Sequence, residues 1–288
     1  MGSILAEVDA PSRLARIVID RPERRNALDR AMWCRLAAVA VELAADPAVG
    51  AVVVEGAHGT FAAGADVGEF DEARVGEATH AYDELTEAAL AALEAIDVPT
   101  IALVEGACLG GGLSIALACD VVLVTPTAQL GVPAARLGTL YPRGALQRLV
   151  RRVGEHRARY LLFSAVRVGA EEAVVLGLAE RVVGSREEGL AIAAQLAQLS
   201  SVSHIATKLA LADPGRHRAL ATTVFSQQDY AEGRQAFRER REPRFVEPGA
   251  ARAELRTAES KVYEPTVGVE PSAGEECSRR EHEADDQG

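Results

Sequence analysis

What this 288-residue chain has little of narrows the possibilities first. It has four cysteines, Cys34, Cys108, Cys119 and Cys277, and none forms a C-x-x-C pair. Neither a disulfide framework nor a zinc site is therefore suggested, no metal is expected, and a reducing cytoplasm is the natural setting. Aromatic residues make up only 4% of the chain. Lysine is nearly absent: Lys208 and Lys261 are the two, so arginine carries almost all the positive charge. No apolar run approaches the roughly 20 residues of a membrane span. The first ten residues carry Glu7 and Asp9 and lack the basic-then-apolar layout of a signal peptide. With a formal net charge of −11, a nucleic-acid partner is disfavoured, because phosphate binding needs clustered cations.

What is present is the balance of an ordinary globular protein, 48% hydrophobic and 25% charged. Ile4–Val8 and Leu14–Asp20 read as a hairpin. Asp29 is placed to N-cap a helix running to about Ala45, which Asp46-Pro47 closes. Ala51–Val54 predicts a short buried strand, Ala78–Ile96 a helix, and Ile101–Val104 another strand. Gly106–Gly112 is a glycine-rich loop, followed by a helix over Leu113–Cys119 and a strand over Val121–Val124. This is an α/β rhythm. From about Arg143 the pattern turns helical, ending in a predicted helix over Thr222–Arg241. Residues 251–288 hold ten acidic against five basic residues and few large apolar side chains. Such a segment is expected to form a flexible acidic tail.

Two segments carry the chemistry. Gly59-Thr60-Phe61-Ala62-Ala63-Gly64-Ala65-Asp66-Val67 follows a strand. Val104-Glu105-Gly106-Ala107-Cys108-Leu109-Gly110-Gly111-Gly112 joins a strand to a helix. Small residues let a ligand approach the main chain, and a helix beginning at Gly111 or Gly112 offers unpaired N–H groups. Two such loops side by side could aim two donors at one oxygen, as an oxyanion hole does. The triple glycine alone is also compatible with a tight turn. It does not match G-x-G-x-x-G or G-x-x-x-x-G-K-[ST]. Gly112-Leu113-Ser114-Ile115-Ala116 lacks the second glycine of a G-x-S-x-G elbow, and Ser114 falls inside a helix.

Taken in order, the motifs resemble the enoyl-CoA hydratase/isomerase (crotonase) family. They are Arg21-Pro22-Glu23-Arg24-Arg25-Asn26-Ala27-Leu28, Phe61–Asp66, Gly110-Gly111-Gly112 with Ala118-Cys119-Asp120, and Leu137-Gly138-Thr139 with Gln147-Arg148-Leu149. Glu232–Phe237 with Arg240–Phe245 completes the set, and the match spans about residues 4–247. The resemblance implies a crotonase-like α/β fold, a spiral of ββα units over 1–200. A helical oligomerisation region over 201–250 would follow, building a homotrimer or a dimer of trimers. It also implies an acyl-CoA thioester as ligand, with no cofactor beyond the coenzyme A on the substrate, and a place in fatty acid metabolism. The N–H groups of Ala65 and Gly111 would hold the thioester oxygen. Arg25, Ala27, Ala63, Ala65, Asp66, Val67, Gly110 and Gly111 would line the substrate groove.

The chain departs from the family where proton transfer is done. Hydratases carry two glutamates, and their positions here are Ser114 and Ala134. Neither side chain can act as a base near neutral pH, so ordinary hydratase activity should be weak or absent. Tyr141 resembles a tyrosine of the family's methylmalonyl-CoA decarboxylases, and with Arg143 or Arg136 it could orient a leaving carboxylate and supply a proton. It could equally just pack the acyl pocket. Glu69, His80 and Glu84 flank the pocket in the family but read more readily as surface residues, and Cys108 as a small apolar group. The expected function is acyl-CoA processing through a thioester enolate with non-standard acid and base residues. A malonyl-type decarboxylase, a non-catalytic acyl-CoA-binding protein and a scaffold acting through the tail are the alternatives.

Overall fold

The computed structural model describes residues 2–245 and 249–258. The elements follow in chain order: β1 (Ser3–Asp9), β2 (Leu14–Asp20), α1 (Arg30–Ala45), β3 (Ala51–Gly56), α2 (Phe70–Ala73), α3 (Ala78–Glu94) and β4 (Thr100–Val104). Next come β5 (Ala107–Leu109), α4 (Gly111–Ala118), β6 (Val121–Val124), β7 (Gln129–Gly131), α5 (Ala134–Leu137), α6 (Arg143–Val153) and α7 (Glu155–Ser164). The chain continues through β8 (Arg167–Gly169), α8 (Ala170–Leu176), β9 (Arg181–Val182), α9 (Arg186–Gln198), α10 (Ser201–Ala212), α11 (His217–Ser226), α12 (Gln228–Glu239) and α13 (Gly249–Thr257).

A large sheet in the order β1-β2-β3-β4-β6-β9 stands beside a small one, β5-β7-β8. The hairpin β1–β2 is antiparallel, and β2, β3, β4, β6 and β9 then run parallel. The chain repeats one move: a long strand in the large sheet, a short strand in the small sheet, a helix. β4, β5 and α4 make one turn of it, and β6, β7 and α5 the next. The central strands are mostly apolar because both faces are covered, and the buried Glu55 near the end of β3 is paired with Arg16 and Arg186. Val52 and Val54 point into the main core with α1, α3 and α4, while Ala51 and Val53 meet α9 with Ile101 and Leu103. α4 is apolar all round and lies buried.

Local chemistry explains the boundaries. Asp29 accepts a hydrogen bond from Met32 N–H and caps α1 as expected. The short strand β5 falls in the stretch that reads as a glycine-rich loop, and β8 in the region expected to be helical, because three residues give too little alternation to register. The single helix expected over Thr222–Arg241 is two: Gln227 takes an extended conformation (φ −83°, ψ 158°) between α11 and α12. The flexible tail expected from residue 251 does not start there: residues 251–257 are helical. α13 covers Gly249–Thr257, with Leu255 and Arg252 buried. Arg252 and Arg256 both donate to the buried Asp97 carboxylate, and Arg252 also donates to Asp46 O at 2.8 Å. The acidic excess had hidden two arginines with a specific partner. The rest of the expected tail lies outside the described residues.

Candidate active site

Three loops converge where α4 begins. Ala62 N–H donates to Ala107 O (2.9 Å), and Leu109 N–H donates back to Ala62 O (3.0 Å), tying the first glycine loop to β5. Leu28 N–H donates to Gly64 O and Asp66 N–H to Leu28 O, both at 2.8 Å. That parallel bridge uses the groups on either side of Ala65, so Ala65's own N–H faces the other way. Gly111 stands on that side. A Cβ added to it would lie 3.1 Å from Ala65 N. As the first residue of α4, Gly111 has an N–H with no acceptor in its own helix. Gly64 makes the approach possible: its φ is +109°, and a Cβ there would sit 2.7 Å from Leu109 O and 3.3 Å from Gly111 N. Two main-chain donors thus lie side by side at the positive end of a helix.

One turn into α4, Ser114 Oγ lies 2.6 Å from Tyr141 OH. Tyr141 donates to Gly110 O at 3.0 Å, and Ser114 is 3.3 Å from the same carbonyl. Both side chains are buried, at 4% and 6% exposure. Burial pushes the Tyr141 phenol well above its ordinary range, outweighing the hydrogen bond from Ser114. Burial therefore favours the neutral, protonated phenol.

A cavity of about 540 Å³ opens in front of these groups. Of the residues expected at the site, Ala63, Ala65, Val67, Gly110, Gly111, Ser114, Ala134, Tyr141, Arg143 and His80 line it. The remainder do other work. Asp66 carboxylate meets Arg21 at 2.9 Å and accepts Gly68 N–H. Burial opposes its ionisation, but the Gly68 N–H and Arg21 outweigh that and hold its pKa below the usual value. Asp66 thus braces the first loop instead of lining the groove, because its carboxylate is occupied from within. Ala27 is buried. Arg25 contributes its carbonyl, which accepts Ala63 N–H at 2.9 Å, while its side chain is exposed. Glu69 accepts Arg30 N–H, Glu84 is exposed, and Arg136 is exposed on α5. Cys108 is buried in the core, where desolvation raises its thiol pKa far above the ordinary value.

The structure adds wall residues that sequence reasoning did not single out: Trp33, Phe70, Arg74, Asp83 and Glu87. Tyr82, on α3, stands with them; its phenol is pushed up to about 12, chiefly by burial and then by Glu69. The Arg74 guanidinium lies 4.6 Å from the Tyr82 ring centroid and pairs with Asp83. Glu87 is held bidentately by Arg148, at 2.7 and 2.9 Å. Only their helical spacing on α3, at 82, 83, 86, 87 and 90, could have marked this face. Among the described residues no group of three His, Cys, Asp or Glu is arranged to hold a metal ion. No described helix is long and apolar enough to cross a membrane.

A ββα spiral that brings two glycine-loop N–H groups together over a cavity defines the crotonase-like fold. The profile of the family described as Enoyl-CoA hydratase/isomerase matches residues 9–248. The chain belongs to the enoyl-CoA hydratase/isomerase family. It is 36% identical to a probable enoyl-CoA hydratase of Mycobacterium leprae, over 83% of this chain and 96% of that one. It is 32% identical to the 2,3-dehydroadipyl-CoA hydratase of Escherichia coli, over 83% and 97% respectively. Among solved structures, an enoyl-CoA hydratase/isomerase family protein from Hyphomonas neptunium superposes with a TM-score of 0.79 at 35% identity. That match covers 85% of this chain and 97% of the other.

Proposed function

We propose that the chain processes acyl-CoA thioesters by stabilising a thioester enolate between the N–H groups of Ala65 and Gly111. The observation that carries this reading is the placement of those two donors beside each other, with the Ser114–Tyr141 pair one helical turn deeper. Charge that develops on the thioester oxygen meets preorganised dipoles and a helix N-terminus; one such donor is worth roughly 3–4 kcal/mol in a transition state. Tyr141, a neutral phenol, delivers a proton to the α-carbon, and Ser114 holds it in place.

Among the described residues the cavity lacks a carboxylate free to act as a base, which bears on the reaction; the exposed His80 also lines it. Among the described residues the carboxylates lining the cavity are Asp83 and Glu87, and both are already paired with arginine. Hydration requires an activated water, whereas decarboxylation does not. In decarboxylation the bond between the α-carbon and the carboxylate breaks. Its electron pair enters the enolate, carbon dioxide leaves, and Tyr141 supplies the proton. A malonyl-type decarboxylase is therefore the specific form these donors favour. The same reading takes the protein as a cytoplasmic homotrimer or pair of trimers, supported by the exposed Leu211, Phe225, Tyr230 and Phe237 on α10–α12.

Mass spectrometry of the purified protein with enoyl-, 3-hydroxyacyl-, malonyl- and methylmalonyl-CoA tests the proposal. Loss of carbon dioxide from a malonyl-type thioester is the expected result. Gain of water on an enoyl thioester would return the chain to the hydratases. Binding with no mass change would make it a non-catalytic acyl-CoA-binding protein.

A further inference from the structure

One side of the cavity is closed by charge. α3 and α6 both pack on α4, and the space between α3 and α6 is spanned by side chains of opposite sign. Arg148, buried on α6, donates to both Glu87 oxygens at 2.7 and 2.9 Å and to both Glu94 oxygens at 2.6 and 2.9 Å. Arg151 adds a bond to Glu94 at 3.3 Å. On the outer side of this ladder lies a groove of about 640 Å³, lined by Glu94, Gly144, Gln147 and Arg151 as well as Glu87. Glu87 is the one described residue that lines both the groove and the cavity. At that point the partition between them is a single side chain. Glycine at position 144 lets the carboxylate stand there, since a Cβ on Gly144 would collide with it. Gly144 follows Tyr141 by three residues, which places the partition beside the Ser114–Tyr141 pair. The acyl chain of a thioester held at Ala65 and Gly111 would run that way.

We infer that Glu87, held in place by Arg148, closes the acyl end of the cavity and limits the length of acyl chain that the protein takes. This rests on the acyl-CoA reading above and goes beyond it by assigning a chain-length residue, which makes short acyl thioesters the ligand class. A hydrocarbon chain gains binding with each methylene it buries. At Glu87 that gain ends. A longer chain meets the side chain itself, and covering the Glu87–Arg148 pair with hydrocarbon strips water from two charges and offers them no hydrogen bond in return. Without the Glu87 side chain the cavity would continue into the outer groove.

The limit is measured by titration calorimetry with the saturated series from butyryl- to dodecanoyl-CoA, in steps of two carbons. Affinity for the wild type should rise by up to about fourfold per methylene and stop rising before dodecanoyl-CoA. In Glu87→Ala the rise should continue, so that the first thioester past the wild-type limit binds about tenfold tighter to the variant. Glu87→Gln keeps the length of the side chain and should keep the limit. Arg148 retains both hydrogen bonds to Glu94 in either variant, so the fold should hold, and unchanged circular dichroism checks this. An uninterrupted rise to dodecanoyl-CoA in the wild type overturns the inference. So does a limit that is the same in wild type and Glu87→Ala, or that Glu87→Gln moves as far as Glu87→Ala does. An equal weakening of every thioester in Glu87→Ala also overturns it, because it would make the residue structural. These results leave the acyl-CoA reading standing. Failure of the wild type to bind any thioester, or coenzyme A itself, removes that reading and this assignment with it.

Discussion

Tyr141 and Ser114 share one acceptor, the Gly110 carbonyl, and the 2.6 Å contact between them permits two arrangements. Either the phenol donates to the carbonyl and the serine to the phenol, or the phenol donates to the serine and the serine to the carbonyl. Both keep the Tyr141 oxygen next to the end of α4 that carries Gly111. Tyr141→Phe removes the proton without removing the ring, so kcat should fall by about 10²-fold or more while KM changes little. Steady-state kinetics on whichever thioester turns over will check this, and equal turnover would remove Tyr141 from the mechanism. The approach of the two donors depends on Gly64. Gly64→Ala forces a side chain into φ +109° and against Leu109 O, at a strain cost of about 1–3 kcal/mol. Chemical denaturation and thioester titration should both record the change.

At the scale of elements, the paired arginines of α13 act as a clasp. They join the end of the helical region to Asp97, in the turn between α3 and β4, and to the C-terminal end of α1 through Ala44 O and Asp46 O. Asp97→Ala would leave Arg252 buried without its carboxylate, at a cost of about 3–5 kcal/mol. Urea denaturation should show that loss, and an unchanged midpoint would mean that α13 adds nothing to the stability of the fold. Most elements were legible in the sequence because they are long and carry their own punctuation. α1 has Asp29 and Pro47 at its ends, and β3, β4 and β6 hold the apolar runs Ala51–Val54, Ile101–Val104 and Val121–Val124. α13 was hidden because composition averages over a window, while the helix rests on two side chains meeting one carboxylate 155 and 159 residues away. The two glycine loops that converge at the start of α4 were legible for the opposite reason: glycines at fixed places are visible as letters. The wall of the cavity was not, since Glu87 on α3 and Arg148 on α6 meet only because both helices pack on α4.

At the scale of the whole molecule, the balance of charge sets the pH response. His204 on α10 is half-buried, and burial followed by the nearby Arg13 lowers its pKa. The unfolded chain then binds a proton more readily than the folded one, so this contribution to stability is complete above about pH 6.5. It is lost as the pH falls through the depressed folded value. Thermal melts from pH 7.5 downward should show that loss, and His204→Gln should flatten it. An unchanged slope in the variant would assign the effect to other groups. The molecule belongs to the enoyl-CoA hydratase/isomerase family, and the proposed reading keeps its main-chain donors while taking Ser114 and Ala134 as the positions of the family's two glutamates. The measurement that bears most directly on this account is the rate of crotonyl-CoA hydration, assayed beside a hydratase that carries both glutamates. Each missing acid–base group should cost on the order of 10²–10⁴, so the account predicts a rate at least about 10²-fold lower. A rate within about tenfold of the two-glutamate enzyme would contradict it.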